Sequence, residues 1–283
     1  MIVQGRPAGP AMWDITKGNS EVWILPTVGP VPKSLKWNTD GVSDVLKGAT
    51  ALWMPPRATV GVFEGLWFWM TGMGALEQPD GVTLESTLHD PLRTRFIAAR
   101  NSIGKDAGDY EEYLPAVAAA ILERDFWKAN DLANDEVPRT IEHLASRQGV
   151  PVKTIATMNG MDVIKDVPKL SPSAQLACVE AALADIDTQR AHAAAAAQAW
   201  AVGNLDGVKA NYSDIRLGTC LQASATYSSL REKAIADTTN AIISALARPG
   251  KSVFVVPLGD FLRNKSVLDR LIADGAAVSG PGS

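Results

Sequence analysis

The chain has 283 residues, of which 46% are hydrophobic and 20% charged, so it can bury a sizeable core in one large domain or two small ones. The formal net charge is -4, and acidic and basic residues are mixed without a basic stripe, which argues against nucleic acid as a partner. No block of like charges marks a disordered tail. Residues 1–10 and 280–283 are expected to be loose termini.

A β-hairpin is predicted near the start of the chain. In AMWDITKGNSEVWILPT, two runs of strand-type residues flank the turn residues 17–20. The second run ends in a proline segment, and a short helix, NTDGVSDVLKGA, and another strand, TALWMPP, follow it. Residues 21–56 are therefore predicted to form a β-loop-α-β unit whose two strands make a parallel pair.

The next stretch, residues 58–76, is apolar and about as long as a membrane-spanning helix. Its four glycines and Glu64 are unfavourable in a span, so no transmembrane segment is predicted. Two interpretations of its aromatic residues remain open: packing in the core beneath the first unit, or a contact surface for a partner, because tryptophan is enriched at binding hot spots. The aromatic residues concerned are Trp53, Trp67, Phe68 and Trp69.

The middle of the chain is predicted to be mostly helical, with an insertion at about 82–148. A strand is expected at 150–158, and a long helix or helix pair begins after Ser171, with Pro172 at the first helical position. The end of the chain is predicted to form a helix (SSLREKAIADTTNAIISALA), a strand and loop (SVFVVPLGDFL), a second helix (NKSVLDRLIADG) and a short last strand (AAV).

The two ends of the chain carry similar segments. VWILPTVG at 22–29 aligns with VFVVPLGD at 253–260. Each segment has four apolar residues, a proline, two further residues and then Gly29 or Asp260, and a helix follows each segment. This similarity indicates an internal duplication whose two loops face one cleft. The predicted fold is α/β, a layered sheet built from two β-loop-α-β units at the chain ends with a large helical insertion between them, covered on both faces.

Several short blocks, in order and with sensible spacing, resemble the TraB/GumN family, which is related to Tiki, ChaN and erythromycin-esterase-like proteins. Besides the two proline loops, the matching blocks are QPDGVTL at 78–84, GVPVKTIAT at 149–157, LSPSAQL at 170–176, AWAVGN at 199–204 and LREKAIA at 230–236. The resemblance implies a single α/β domain over residues 11–279 that includes the helical insertion.

The family's proposed metal site uses one histidine from each of two GxxH motifs, supported by two glutamates. By the resemblance, the first motif falls on Pro26–Gly29 and the second on Pro257–Asp260, while the glutamates fall on Pro55 and Ala156. A catalytic divalent metal needs about three protein ligands, and the side chains of proline, glycine and alanine supply none. No metal and no cofactor are therefore expected.

Three polar residues remain candidates for the cleft in which the family's proposed metal site would lie. Arg231 stands where the family has the arginine of an RN pair, and Glu232 replaces the asparagine. Arg231 either binds an anionic group or pairs with a structural carboxylate such as Glu232 or Asp260. Asp260 either acts as a ligand or acid/base group, or caps the following helix or turn.

The two cysteines, Cys178 and Cys220, are not part of a CxxC motif. They either form one disulfide, if the chain is exported, or remain as two buried thiols. The sequence does not open with a signal peptide. Because members of the family that it resembles are usually exported, a periplasmic or secreted location is expected, with the signal absent from this numbering; the cytoplasm is the alternative.

These observations favour a catalytically degenerate TraB/GumN-like protein with a non-enzymatic binding or scaffold role at the cell envelope. Its partner would be a protein, a peptide or an envelope component, and self-association is left open. One alternative is a metal-dependent hydrolase or peptidase with a site rebuilt from Asp260, Glu232 and Arg231. The other is a ChaN-like ligand binder, although no haem axial ligand falls at the aligned positions.

Overall fold

The computed structural model describes residues 9–212, 220, 224–262 and 266–280; of the loose ends predicted at 1–10 and 280–283, residues 1–8 and 281–283 lie outside these ranges. Strands are numbered here in chain order. Their bounds are β1 Trp13–Lys17, β2 Ser20–Thr27, β3 Val31–Pro32, β4 Ala51–Met54, β5 Arg57–Thr59, β6 Leu132–Ala133, β7 Val152–Thr154, β8 Thr157–Asn159, β9 Gly250–Pro257 and β10 Ala277–Ser279.

The helices of the described residues are numbered in the same way. Their bounds are α1 Asp40–Leu46, α2 Val62–Thr71, α3 Leu84–Thr87, α4 Leu92–Ser102, α5 Pro115–Ala129, α6 Glu136–Arg147, α7 Met161–Asp166, α8 Pro172–Ala201, α9 Leu205–Asn211, α10 Ala225–Leu246, α11 Leu258–Leu262 and α12 Val267–Ala273. Within the described residues, none of these helices combines the length and the apolar character needed to cross a membrane.

The central sheet has the strand order β10-β1-β2-β9-β4-β7. The predicted hairpin is confirmed: β1 and β2 are antiparallel, and Gly18 supplies the positive φ of +59° that the turn requires. The predicted direct pairing of β2 with β4 is wrong. Strand β9, from the far end of the chain, lies between them and is parallel to both. The crossover through α1 therefore passes over one strand.

Helices cover both faces of this sheet, which confirms the layered α/β fold. Successive residues of a strand point to opposite faces, so Val253 and Val255 join a core with α1, α6 and the end of α8. Phe254 and Val256 join a second core with α10 and α12 on the other face. Strands buried on both faces explain the continuous apolar runs in the sequence.

A third core lies among the helices outside the sheet. It joins α3, α4 and α5 to the first half of α8. Helix α8 begins where its sequence signal predicts, because the Ser171 hydroxyl accepts a hydrogen bond from the Ala174 N–H at 3.2 Å and Pro172 follows at the first helical position. Since α8 spans 30 residues, it connects the helical core to the sheet.

Candidate functional site

The carboxyl ends of four parallel strands meet at one edge of the sheet. In spatial order these strands are β2, β9, β4 and β7. Pro26 is the second-last residue of β2 and Pro257 is the last residue of β9, while Pro55 follows β4 directly and Ala156 follows β7 by two residues. The structure therefore brings the motif positions that the family resemblance implies to the edge where α/β proteins usually bind ligands.

The part of this edge between β2 and β9 is filled by apolar side chains. The indole N–H of Trp200 donates a buried hydrogen bond to the Pro26 carbonyl at 2.7 Å. Pro26 lines a void of about 10 Å³ together with Trp13, Trp200 and Leu258. A space of that size holds at most about one water molecule. It leaves no room for a hydrated metal ion.

The loop after β2 is packed just as closely. A Cβ added to Gly29 would lie 2.6 Å from Oδ1 of Asn134, so any side chain at this position requires the Asn134 side chain to move. On its other side, the loop borders a second void of about 20 Å³ together with Ala193 and Ala197 of α8. The position aligned with the first histidine is therefore enclosed between Asn134 and a helix.

Beyond the ends of β4 and β7, the two chain segments stay connected by backbone hydrogen bonds. The Ile155 N–H donates to the Met54 carbonyl and the Arg57 N–H donates to the Ala156 carbonyl, both at 3.0 Å. This leads the two strands into a second parallel pair, β5 and β8. Pro55 and Pro56 have no N–H, so the ladder is interrupted between the two pairs. The single strand predicted at 150–158 is therefore wrong: it is divided into β7 and β8.

The three polar candidates separate into two groups. Arg231 Nη2 lies 3.5 Å from Asp260 Oδ1, so α10 and α11 bring these two side chains together. Glu232 instead accepts a hydrogen bond from Arg270 of α12. Neighbouring residues of a helix point about 100° apart, which explains why Arg231 and Glu232 serve different contacts. Of the three candidates, only Arg231 and Asp260 lie together, as an ion pair in which each side chain is about 30% exposed.

The sequence model of the TraB/PrgY/gumN family matches residues 11–280, nearly the whole chain. The chain belongs to this family. No curated protein and no solved structure matches it.

The residues at the sheet edge of this TraB/PrgY/gumN member do not fit a metal ion. Within the described ranges, no cluster of three or more His, Cys, Asp or Glu side chains has the spacing of a metal site. The three histidines are exposed elsewhere in the chain, and near the edge the Asp260 carboxylate is paired with the Arg231 guanidinium. Among the residues that the structure describes, this edge therefore offers no set of metal ligands, and the void beside Pro26 is too small for a hydrated ion.

The aromatic residues singled out in the sequence have different environments. Trp53 is half-buried and stacks on Phe254, with ring centroids 5.7 Å apart, while the Lys153 ammonium lies 5.1 Å from its ring. Phe68 is also half-buried. Trp67 and Trp69, in contrast, are 66% and 68% exposed. Core packing therefore describes Trp53, whereas Trp67 and Trp69 of α2 lie on the surface.

Helix α2 is held to the body of the protein through its single charged residue. Glu64 accepts hydrogen bonds from Lys165 of α7 at 2.8 Å and from Asn159 of β8 at 3.3 Å. The hydrogen bond from Lys165, with its positive charge, lowers the pKa of Glu64. The carboxylate therefore stays ionised and turned towards the body of the protein.

A buried carboxyl pair between α5 and α8 gives no signal in the sequence. Glu123 and Asp185 are 3% and 2% exposed. The Gln189 side-chain amide donates to Glu123 at 3.1 Å and accepts from the Trp127 indole at 2.6 Å. Burial, with the nearby Asp185 as a second cause, raises the pKa of Glu123 to about 7. Glu123 is followed by Arg124 and Asp125, and Asp185 stands two residues before Asp187, so nothing in the local sequence distinguishes the two buried carboxyls from solvated ones.

Replacing Glu123 with glutamine is expected to stabilise the protein above neutral pH. With a raised pKa, the folded chain holds a proton that the unfolded chain releases, so the free energy of unfolding falls as the pH rises from about 4.5 to about 7. The loss should amount to roughly 2–3 kcal/mol. In Glu123→Gln this loss disappears, while the stability near pH 4.5 should be unchanged. Urea denaturation across that pH range measures it.

The exposed Glu180→Gln variant on α8 controls for the removal of one negative charge. If wild type and Glu123→Gln show the same change in stability over this range, burial of Glu123 does not govern its titration.

Proposed function

We propose that this TraB/PrgY/gumN member is a non-catalytic binding protein that retains the fold of the family without its metal chemistry. The observation that carries the proposal is the closed edge around Pro26. Trp200 caps the Pro26 carbonyl, and the remaining void of about 10 Å³ is lined mainly by apolar groups. A hydrolytic metal needs fixed ligands and an open coordination position for water. The described residues around Pro26 supply neither, which supports the proposal.

The ion pair of Arg231 and Asp260 argues against a rebuilt catalytic site. An aspartate that serves as a metal ligand or general base needs access to its partner, and the guanidinium 3.5 Å away competes for it. Glu232 is directed towards Arg270, so it does not add a second carboxylate beside Asp260. These contacts favour a structural role for all three residues.

A location in the cell envelope is supported by the disulfide. Cys178 of α8 is bonded to Cys220, and structural disulfides persist mainly in oxidising compartments. The partner class that we propose is a protein, a peptide or an envelope component, and the surface available for it is α2, which exposes tryptophan to solvent. Labelling of free thiols in the producing cell tests the location: an unreacted, bridged pair is expected, and two labelled cysteines would contradict it.

The absence of metal binding is tested by thermal unfolding and elemental analysis of the purified protein. A metal that binds only the folded chain, at 100 times its dissociation constant, adds about 2.7 kcal/mol to the free energy of unfolding. We expect no shift in Tm on addition of Zn²⁺, Mn²⁺ or Mg²⁺, and none on addition of EDTA. Asp260→Asn serves as the matched variant. A stoichiometric metal, or a shift that Asp260→Asn abolishes, would overturn the proposal in favour of a metal-dependent hydrolase.

A further inference from the structure

Helix α2 presents its apolar face to solvent, the reverse of an ordinary surface helix. At about 100° per residue, its exposed apolar side chains cover a continuous arc of about 160°. Phe63, at one end of the helix, is 89% exposed. The opposite side carries Glu64, Gly65 and Phe68, which face the protein. The side chains of the arc are Val62, Phe63, Leu66, Trp67, Trp69 and Met70.

The area of this arc is large for a lone protein. Taking roughly 150–250 Å² for each large side chain and scaling by its exposed fraction, the arc and the adjacent Val60 expose on the order of 900 Å². The largest apolar patch on a typical monomer is about 300–600 Å². A stable interface buries about 800 Å² on each partner. The patch therefore has the size of one half of a dimer interface.

The charges near α2 favour a second copy of the chain over a lipid surface. Helices that lie in a membrane interface usually have a polar face rich in Lys and Arg. Helix α2 contains neither, and its one charge, Glu64, is paired with Lys165. The net charge of -4 adds repulsion from anionic lipid. Two copies of an uncharged arc can meet without placing like charges opposite each other.

We infer that α2 packs against α2 of a second copy in a two-fold symmetric dimer. The contact is isologous, so each residue of the arc meets the same arc on the other chain. Leu66 lies near the middle of the helix and near the centre of the arc, which places it close to the two-fold axis. The inference rests on the binding role proposed for α2, and it does not depend on whether the sheet edge binds metal.

Sedimentation equilibrium of the full chain over a range of concentrations tests the dimer. Wild type is expected to show twice the 30.1 kDa mass of one chain. Leu66→Glu would place two carboxylates beside the axis and should weaken the dimer by at least about tenfold. The matched control is Ile272→Glu on α12, because Ile272 is 56% exposed and Leu66 is 52% exposed. It should leave the dimer intact. Circular dichroism confirms that both variants fold.

Cross-linking locates the axis independently of stability. Both native cysteines are bridged to each other, so a single new cysteine is the one reactive thiol. Leu66→Cys is expected to form a disulfide-linked dimer under mild oxidation, and Ile272→Cys is expected to stay monomeric on a non-reducing gel.

Three outcomes overturn the inference. The first is that wild type sediments as a monomer at every concentration. The second is that Leu66→Glu dimerises as strongly as wild type, which places the interface elsewhere. The third is that monomeric wild type binds phosphatidylcholine and phosphatidylglycerol vesicles through α2, which assigns the surface to lipid. None of these changes the metal analysis. Failure of the dimer is thus distinguishable from failure of the non-catalytic proposal.

Discussion

Trp200→Ala is expected to lower the free energy of unfolding by about 3–5 kcal/mol, the range for removing a large buried aromatic side chain. Trp200 is buried in the core between α8 and the sheet, where it packs edge-on against Trp37 with ring centroids 5.2 Å apart. Its loss also leaves the Pro26 carbonyl without its indole donor. Urea denaturation followed by circular dichroism measures the change.

Trp200→Phe separates the two contributions of the indole. It retains most of the ring volume and removes the N–H, so the expected loss is about 1–3 kcal/mol from the unpaired carbonyl together with a small packing defect. If Trp200→Ala costs less than 1 kcal/mol, the edge around Pro26 is not a tightly packed part of the core. The packing around Pro26 would then no longer count against a metal site.

The elements that sequence patterns predicted correctly are those with local chemical signals. Gly18 allows the positive φ of the hairpin turn, and Ser171 with Pro172 marks the start of α8. The helix at 40–46 ends before Gly48, whose φ is +71°. These signals act within a few residues, so they can be read without knowledge of the tertiary structure.

The errors concern long-range contacts. Strand β9 lies between β2 and β4, and nothing within residues 21–56 indicates that a strand from 250–257 separates them. The strand predicted at 150–158 divides because its partner contains Pro55 and Pro56, almost 100 residues earlier in the chain. The exposure of α2 also has no local signal, since an apolar helix is most often buried.

For the candidate site, the sequence located the positions but not their environment. The matching loops at 22–29 and 253–260, together with Pro55 and Ala156, do meet at one edge of the sheet. Trp13 and Trp200, which lie beside Pro26, come from separate parts of the chain; Trp200 belongs to the AWAVGN block, but no local pattern indicates that its indole reaches the Pro26 carbonyl. Closure of the edge therefore depends on packing that only the fold reveals.

Removing the disulfide is the second change with a large expected effect. The bridge links Cys178 and Cys220 across 42 residues of sequence. In the chain-entropy model, closing a loop of that length reduces the freedom of the unfolded chain by about 4 kcal/mol. Cys220→Ala should therefore lower the free energy of unfolding by roughly that amount and the Tm by roughly 7 °C. Thermal unfolding under oxidising conditions measures the change.

The matched comparison for this prediction is wild type treated with a thiol reductant. Reduced wild type and Cys220→Ala should unfold at nearly the same temperature, because both lack the same constraint on the unfolded chain. Cys178 is fully buried in α8, so Cys178→Ala would add a packing loss that Cys220→Ala avoids. An oxidised Cys220→Ala as stable as oxidised wild type would show that the bridge is energetically neutral. Native proteins typically have a free energy of unfolding of about 5–15 kcal/mol. A loss near 4 kcal/mol would therefore remove a large part of the stability in a reducing compartment, which favours an oxidising location.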